Sequence, residues 1–223
     1  MMKTFSRLVL LLSVSRLLCY AGEFKYQWAS YTTYFRADID QRQHNINIAA
    51  MYLDGFVLCP KTIFSFNQEV TEKIPQEQFG PATILSGEQR TLGYGGGLCQ
   101  VSSTLYAASL YAGLSIHERK PHSKPVNYIG IGLDATVSND EGTDLKIFNP
   151  YNCELVIKAS VTANALTVSI FGTRPKPKEI NILVTKPEKK GNFLYTTTIR
   201  TVSSQGKKDF SEIVSRDRYL LPE

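Results

Sequence analysis

At 223 residues, the chain is long enough for one sizeable domain with its own core, or for one domain and a small appendage. With 43% hydrophobic and 20% charged residues, it does not have the composition of a disordered chain. The formal net charge of +5 comes from Lys and Arg spread along the sequence, with the strongest basic bias between Lys176 and Lys208. The aromatic and basic interleaving of an RNA-binding surface is missing, so a solvated basic tail is expected and nucleic acid is not an expected partner.

In chain order, Lys3 and Arg7 precede the apolar run Leu8-Val9-Leu10-Leu11-Leu12, and small and apolar residues follow as far as Ala21-Gly22. This pattern predicts a signal peptide over 1–21, with a mature chain beginning near Gly22 and an exported protein of the periplasm, cell wall or extracellular space. Arg16 interrupts the run and leaves fewer than the roughly 20 apolar residues of a spanning helix; an uncleaved anchor is the alternative. The approach Arg16-Leu17-Leu18 is a poor one for lipidation of Cys19.

Trp28 to Phe35 is rich in Tyr and Thr and predicts a strand. Asp38 and Asp40 offer caps for a helix carrying Ile46, Ala49, Ala50 and Leu53, closed by Gly55. Short extended pieces are expected at Phe56–Leu58 and Phe64–Asn67, then a loop over Thr71–Pro81 and a strand over Ala82–Leu85 with a turn at Ser86-Gly87. Gly95-Gly96-Gly97 interrupts the chain before the best helix, whose residues Val101, Leu105, Ala108 and Ala112 share one face and whose end is Gly113. Extended segments follow at Leu114–Arg119, Val126–Ile129, Asp144–Phe148, Glu154–Val161 and Ala165–Phe171. The expected class is α+β, a helix-rich first half with a nucleophile at a helix N-terminus followed by a mainly antiparallel sheet. Thr173 to Lys178, with Pro175 and Pro177, reads as a linker to a C-terminal extension holding about two more strands.

The chemistry concentrates at Cys99. Glycines tolerate positive φ and close backbone approach. A helix start presents unpaired N–H groups and partial positive charge, which favour a thiolate and suit an oxyanion. Cys99 is therefore a candidate nucleophile. The competing readings are a small buried hydrophobe at a packing point, and a zinc ligand beside His117 and His122, although that spacing matches no closed zinc pattern. His122, held between Pro121 and Pro125, is the better base; His117 alternates with Ile116 in a strand, and His44 neighbours a helix start. Asp134 either orients an imidazole or caps a turn. The cysteines are Cys19, Cys59, Cys99 and Cys153; with Cys19 removed, Cys59 and Cys153 either pair or are both buried and free.

These motifs resemble the VanW family, named after an accessory protein of vancomycin-resistance clusters. The matching pieces are Ser30-Tyr31-Thr32-Thr33-Tyr34-Phe35, His44-Asn45-Ile46, Phe64-Ser65-Phe66-Asn67, and the specific run Gly95-Gly96-Gly97-Leu98-Cys99-Gln100-Val101-Ser102-Ser103-Thr104-Leu105-Tyr106. Glu118-Arg119, Pro121-His122-Ser123, Tyr128, Gly132, Asp134-Ala135-Thr136 and Asp144-Leu145-Lys146 follow in order. Cys59-Pro60-Lys61 departs from the Pro-Gly turn usual there. The resemblance implies a domain over 28–172, with 173–223 outside it. It also implies an exported, envelope-associated, cysteine-dependent L,D-transpeptidase acting on peptidoglycan stem peptides, with Cys99 as nucleophile and His122 as base; Asp134 completes the candidate catalytic set. Gly95, Gly96, Gly97, Gln100, Ser102, Ser103, Asn45 and Tyr128 form the candidate substrate-binding set. Neither cofactor nor metal is expected. A thiol amidase or endopeptidase on the same polymer, and a non-catalytic module that binds stems through the glycine-rich helix start, are the alternatives.

Overall fold

The computed structural model describes residues 22–36, 41–86, 89–204 and 208–221. The expected signal peptide over 1–21, the caps at Asp38 and Asp40 and the turn residue Gly87 lie outside the described residues. Among the described residues no helix is long and apolar enough to cross a membrane.

The expected helix-rich first half is not found. Among the described residues the structure is 42% strand and 20% helical, with four antiparallel sheets, and five strands fall before residue 95. The first sheet has the order β1-β9-β8-β2, from β1 (Tyr26–Tyr34), β2 (Phe56–Leu58), β8 (Leu155–Val161) and β9 (Ala165–Gly172). In β9 every second residue is buried, including Leu166, Val168 and Ile170, the period of a half-buried strand. Helix α1 (Arg42–Leu53) packs on β8, and helix α3 (Leu98–Ala112) packs on β1 and β9. Four of those five strands coincide with expected extended segments; the segment Gln89–Tyr94 is the one with no such expectation, and the two α-helices described between them do not make the half helix-rich.

A second sheet joins β3 (Ile63–Ser65), β7 (Lys146–Phe148) and β6 (Ser115–Glu118) in the order β3-β7-β6. Phe64–Asn67 is extended only as far as Ser65. Ser65 then accepts from the Gln68 N–H and caps the short helix α2 (Phe66–Glu69), as serine does at helix starts. Strands β4 (Pro81–Ser86) and β5 (Gln89–Tyr94) form a hairpin leading into the glycine triplet. Val126–Ile129 is not a strand; with its neighbours it forms an irregular segment.

Helix α3 is buried on nearly all sides, from Gln100 to Leu110 without a break. The face Val101, Leu105, Ala108 and Ala112 is only part of its contact surface. Small side chains (Ser102, Ser103, Ala107) allow neighbours to close on the others, the condition of a helix inside a core.

The C-terminal extension holds four strands: β10 (Glu179–Val184), β11 (Glu188–Lys190), β12 (Phe193–Ser203) and β13 (Phe210–Leu220), with β12 pairing all three others. The preceding segment is tied to the rest of the protein. The Trp28 indole N–H donates to the Arg174 carbonyl at 2.7 Å, and Lys176 Nζ to the Tyr111 carbonyl at 3.3 Å.

Cys153 is buried with a free thiol. The expected Cys59–Cys153 pairing is therefore not made. The Asn149 amide binds the carbonyls of Leu58, Cys59 and Cys153, so it is a hydrogen-bonded turn that brings these two segments together.

Candidate active site

The glycine triplet places Cys99. Gly97 caps α3 at φ +114°, and a Cβ there would meet Ile46 Cγ1 at 2.8 Å and the Arg42 carbonyl at 3.2 Å. Only glycine suits this conformation at so close an approach of α1. Gly97→Ala is expected to destabilise the fold by about 1–3 kcal/mol, visible as a lowered Tm in thermal denaturation.

In the first turn of α3, the Leu98 N–H donates to the Gly95 carbonyl, and the Gln100 and Val101 N–H groups to that of Gly97. Among the described residues no acceptor takes the Cys99 N–H. It is one of the unpaired donors a helix start leaves.

Two serines stitch this turn to the loop carrying Asp134. Ser102 Oγ donates to the carbonyls of Cys99 (3.2 Å) and Ala135 (2.7 Å). Ser103 Oγ lies 2.5 Å and 3.2 Å from the same two carbonyls and accepts the Ala135 N–H at 2.9 Å. The half-buried Cys99 thiol thereby sits beside His122 and within 3.6 Å of the Val137 carbonyl.

His122 is buried, and its Nδ1 and its backbone N–H both bind Asp134 Oδ2 at 2.7 Å. With Nδ1 committed, Nε2 is the ring nitrogen left for the thiol. Burial alone would lower the imidazole pKa. The hydrogen bond to Asp134 and the nearby Cys99 sulfur outweigh it and raise the value to about 9. Burial likewise works against the Asp134 carboxylate, but the His122 hydrogen bond and the Arg119 charge hold its pKa below the usual range. Arg119 Nε donates to the Asp134 carbonyl at 2.6 Å and Nη2 to Oδ1 at 3.1 Å.

The other residues of the expected set fall into two groups. Asn45, Gln100, Ser102 and Ser103 are 0% exposed. The Asn45 amide binds Gly80 and Gly96; Gln100 donates to Thr33 and Tyr34 and accepts from Arg42. All four are engaged in buried hydrogen bonds around the start of α3. Their polarity reflects the need to satisfy buried backbone groups around a tight turn. The Tyr128 ring stands edge-on to His122, 6.4 Å between ring centres. Its hydroxyl is buried with no hydrogen-bond partner among the described residues. Burial first, then the charge of Cys99, push its pKa well above the ordinary value, which keeps the O–H protonated. The Arg42 guanidinium lies 5.6 Å from the Tyr128 ring centre.

His117 is exposed on β6 and stacked on Phe148 at 5.0 Å, and His44 Nε2 bonds the Gln78 carbonyl. Neither joins Cys99, and among the described residues no group of three or more His, Cys, Asp or Glu side chains is placed to hold a metal. A groove of about 530 Å³ between β6 and β13 is lined by His117 and Glu118, but not by Cys99, His122 or Asp134. Sequence reasoning missed Arg119, Asp217 and Tyr219 as site residues. The available signal was the alternation Asp217-Arg218-Tyr219, which turns 217 and 219 to one face of a strand.

Cys99 is half-buried, whereas burial raises the Cys153 thiol above its ordinary pKa. An alkylating reagent at neutral pH is expected to label Cys99 first and Cys153 only after denaturation, as peptide mapping would show. Equal rates at the two positions would contradict the distinction.

The fold and site define a class: a mainly antiparallel β protein in which a half-buried cysteine at the start of a buried helix faces a histidine held by a carboxylate. Residues 41–171 match the family described as VanW like protein, and the chain belongs to that family. It is 36% identical over 169 residues to the uncharacterized protein YoaR of Bacillus subtilis (strain 168), covering 70% of this chain and 55% of that protein. It is 27% identical over 141 residues to the vancomycin B-type resistance protein VanW of Enterococcus faecalis (strain ATCC 700802 / V583), covering 60% of this chain and 50% of that protein. The chain thus spans about half the length of these curated relatives. No solved structure matches it.

Proposed function

We propose that this protein is an exported cell-envelope acyltransferase of the L,D-transpeptidase type, acting on peptidoglycan stem peptides through Cys99. The observation that carries the proposal is the Cys99–His122–Asp134 arrangement, with a Cys99 N–H that has no acceptor among the described residues. The name of the Enterococcus relative, a vancomycin resistance protein, favours the cell envelope as the place of action.

In the proposed reaction the Cys99 thiolate attacks a stem-peptide carbonyl next to a D-centre. A C–S bond forms, and the Cys99 N–H receives the developing oxyanion. The C–N bond then breaks, and His122 delivers its proton to the departing amine. The amine of a neighbouring stem next attacks the thioester, its proton passes to His122, and the C–S bond breaks to regenerate the thiolate. Asp134 holds the ring with Nε2 toward the sulfur throughout.

Incubation of the purified protein with disaccharide-tetrapeptide, followed by mass analysis, tests this reading. A cross-linked dimer lacking one terminal residue is the expected product. A shortened monomer would indicate hydrolysis instead of transfer. No change of mass, with the fragment bound to the protein, would leave a binding module.

A further inference from the structure

We infer that the C-terminal sheet is part of the active centre, with Asp217 and Tyr219 of β13 acting as positioning residues that hold the Asp134 carboxylate against His122. This rests on the proposed thiol chemistry, and it reaches a segment beyond residues 41–171, where the family match ends.

Three layers of contact carry it. The Tyr219 hydroxyl, fully buried, donates to Asp134 Oδ1 at 2.6 Å and accepts the Gly132 N–H at 2.8 Å. Asp217 Oδ1 takes Arg119 Nη1 at 2.5 Å, while Arg119 also grips Asp134, and Ser215 Oγ donates to the other Asp217 oxygen at 3.0 Å. The Leu220 N–H donates to the Ser123 carbonyl at 2.7 Å, clamping the residue after His122. Thr198 of the neighbouring β12 donates to the Gly132 carbonyl at 3.1 Å. Gly132 lies at φ +82°, where a Cβ would stand 2.8 Å from Thr198 Oγ1. The loop that presents Asp134 is therefore built to receive this sheet.

The division of labour follows from charge. Asp134 Oδ2 serves His122, and Oδ1 is occupied by Tyr219 and Arg119, so the carboxylate cannot rotate away. Asp217 offsets the Arg119 cation, which would otherwise weaken the negative field that Asp134 exerts on the imidazole. The groups facing His122 and its partner are Cys99, Tyr128, Asp134, Arg119, Asp217 and Tyr219.

The test uses Asp217→Asn and Tyr219→Phe in the full chain, with two readouts that need no substrate. One is the titration of the His122 imidazole by NMR, and the other is the rate of Cys99 alkylation against pH. Asp217→Asn is expected to lower the His122 pKa by about 0.5–1 unit, less than the 1–3 units of a directly contacting charge, and to move the inflection of the Cys99 alkylation rate against pH down with it. Tyr219→Phe keeps the ring and its packing, so it carries the test if Asp217→Asn fails to fold. It should shift the His122 titration and lower kcat with KM unchanged, and add nothing in an Asp134→Asn background. A lowered Tm with unchanged His122 titration and unchanged Cys99 reactivity in the folded variants would overturn the inference, leaving the sheet a merely structural support. Absence of turnover on wall fragments would count against the proposed enzyme but not against this buttress, because titration and alkylation report it separately.

Discussion

Cys99→Ala is expected to abolish turnover on peptidoglycan fragments while the protein stays folded. The change trades one small half-buried side chain for another, and the Cys99 backbone N–H, the Ser102 and Ser103 bonds to the Cys99 carbonyl and the Gly97 cap all remain. Cys99→Ser should be nearly as inactive, since a hydroxyl does not supply the accessible anion of a thiol. Mass analysis of products, with circular dichroism to confirm folding, decides the matter. Full activity in Cys99→Ala would remove the thiol mechanism and leave the binding-module reading.

The second large effect belongs to His122 and its carboxylate. His122→Ala should slow acylation by about 10²–10⁴-fold, and Asp134→Asn by a comparable order, because the ring loses both its orienting acceptor and the charge that favours the imidazolium. His117→Ala should change little, as its ring lies on Phe148 at the surface. The pH dependence follows from the His122 pKa of about 9. The imidazolium is the proton donor to the leaving amine, so kcat/KM should fall as pH rises through about 9. Alkylation of Cys99, which needs no leaving-group proton, should not fall with it. Asp134→Asn should move that descending limb to lower pH. For folding, the His122 pKa is raised from 6.5 to about 9, so its stabilising contribution is full below 6.5 and is lost as pH climbs to about 9. Asp134 has the opposite sign: its pKa is lowered from 3.8, and its contribution is lost as pH falls through the folded-state value. Chemical denaturation at pH 6 and pH 10 should show lower stability at the higher pH; a rise would contradict the assignment.

How much of this was legible before folding varies by residue. The strand at β1, the helix over Ile46 to Leu53 and the helix after the glycines follow from periodicity and from glycine's tolerance of positive φ, which are local properties. The pieces that become β2 and β3, three residues each, also read as extended, but β5 does not, because it is a strand only through its pairing with β4; with it, strands outweigh helices in the first half.

At the site, the sequence by itself determined the nucleophile candidate and its setting. A cysteine behind three glycines and ahead of an apolar helical repeat can only be a helix-start cysteine, and the prolines around His122 single it out among three histidines. Only the tertiary structure decided between the two roles of Asp134, because its value as an imidazole partner depends on a contact across twelve residues of irregular chain. It also decided that Asn45, Gln100, Ser102 and Ser103 face inward, and that Arg119, Asp217 and Tyr219 converge on one carboxylate. Such convergence is a property of sheet packing: nothing local in β13 indicates which buried group, 85 residues away, the Tyr219 hydroxyl will meet.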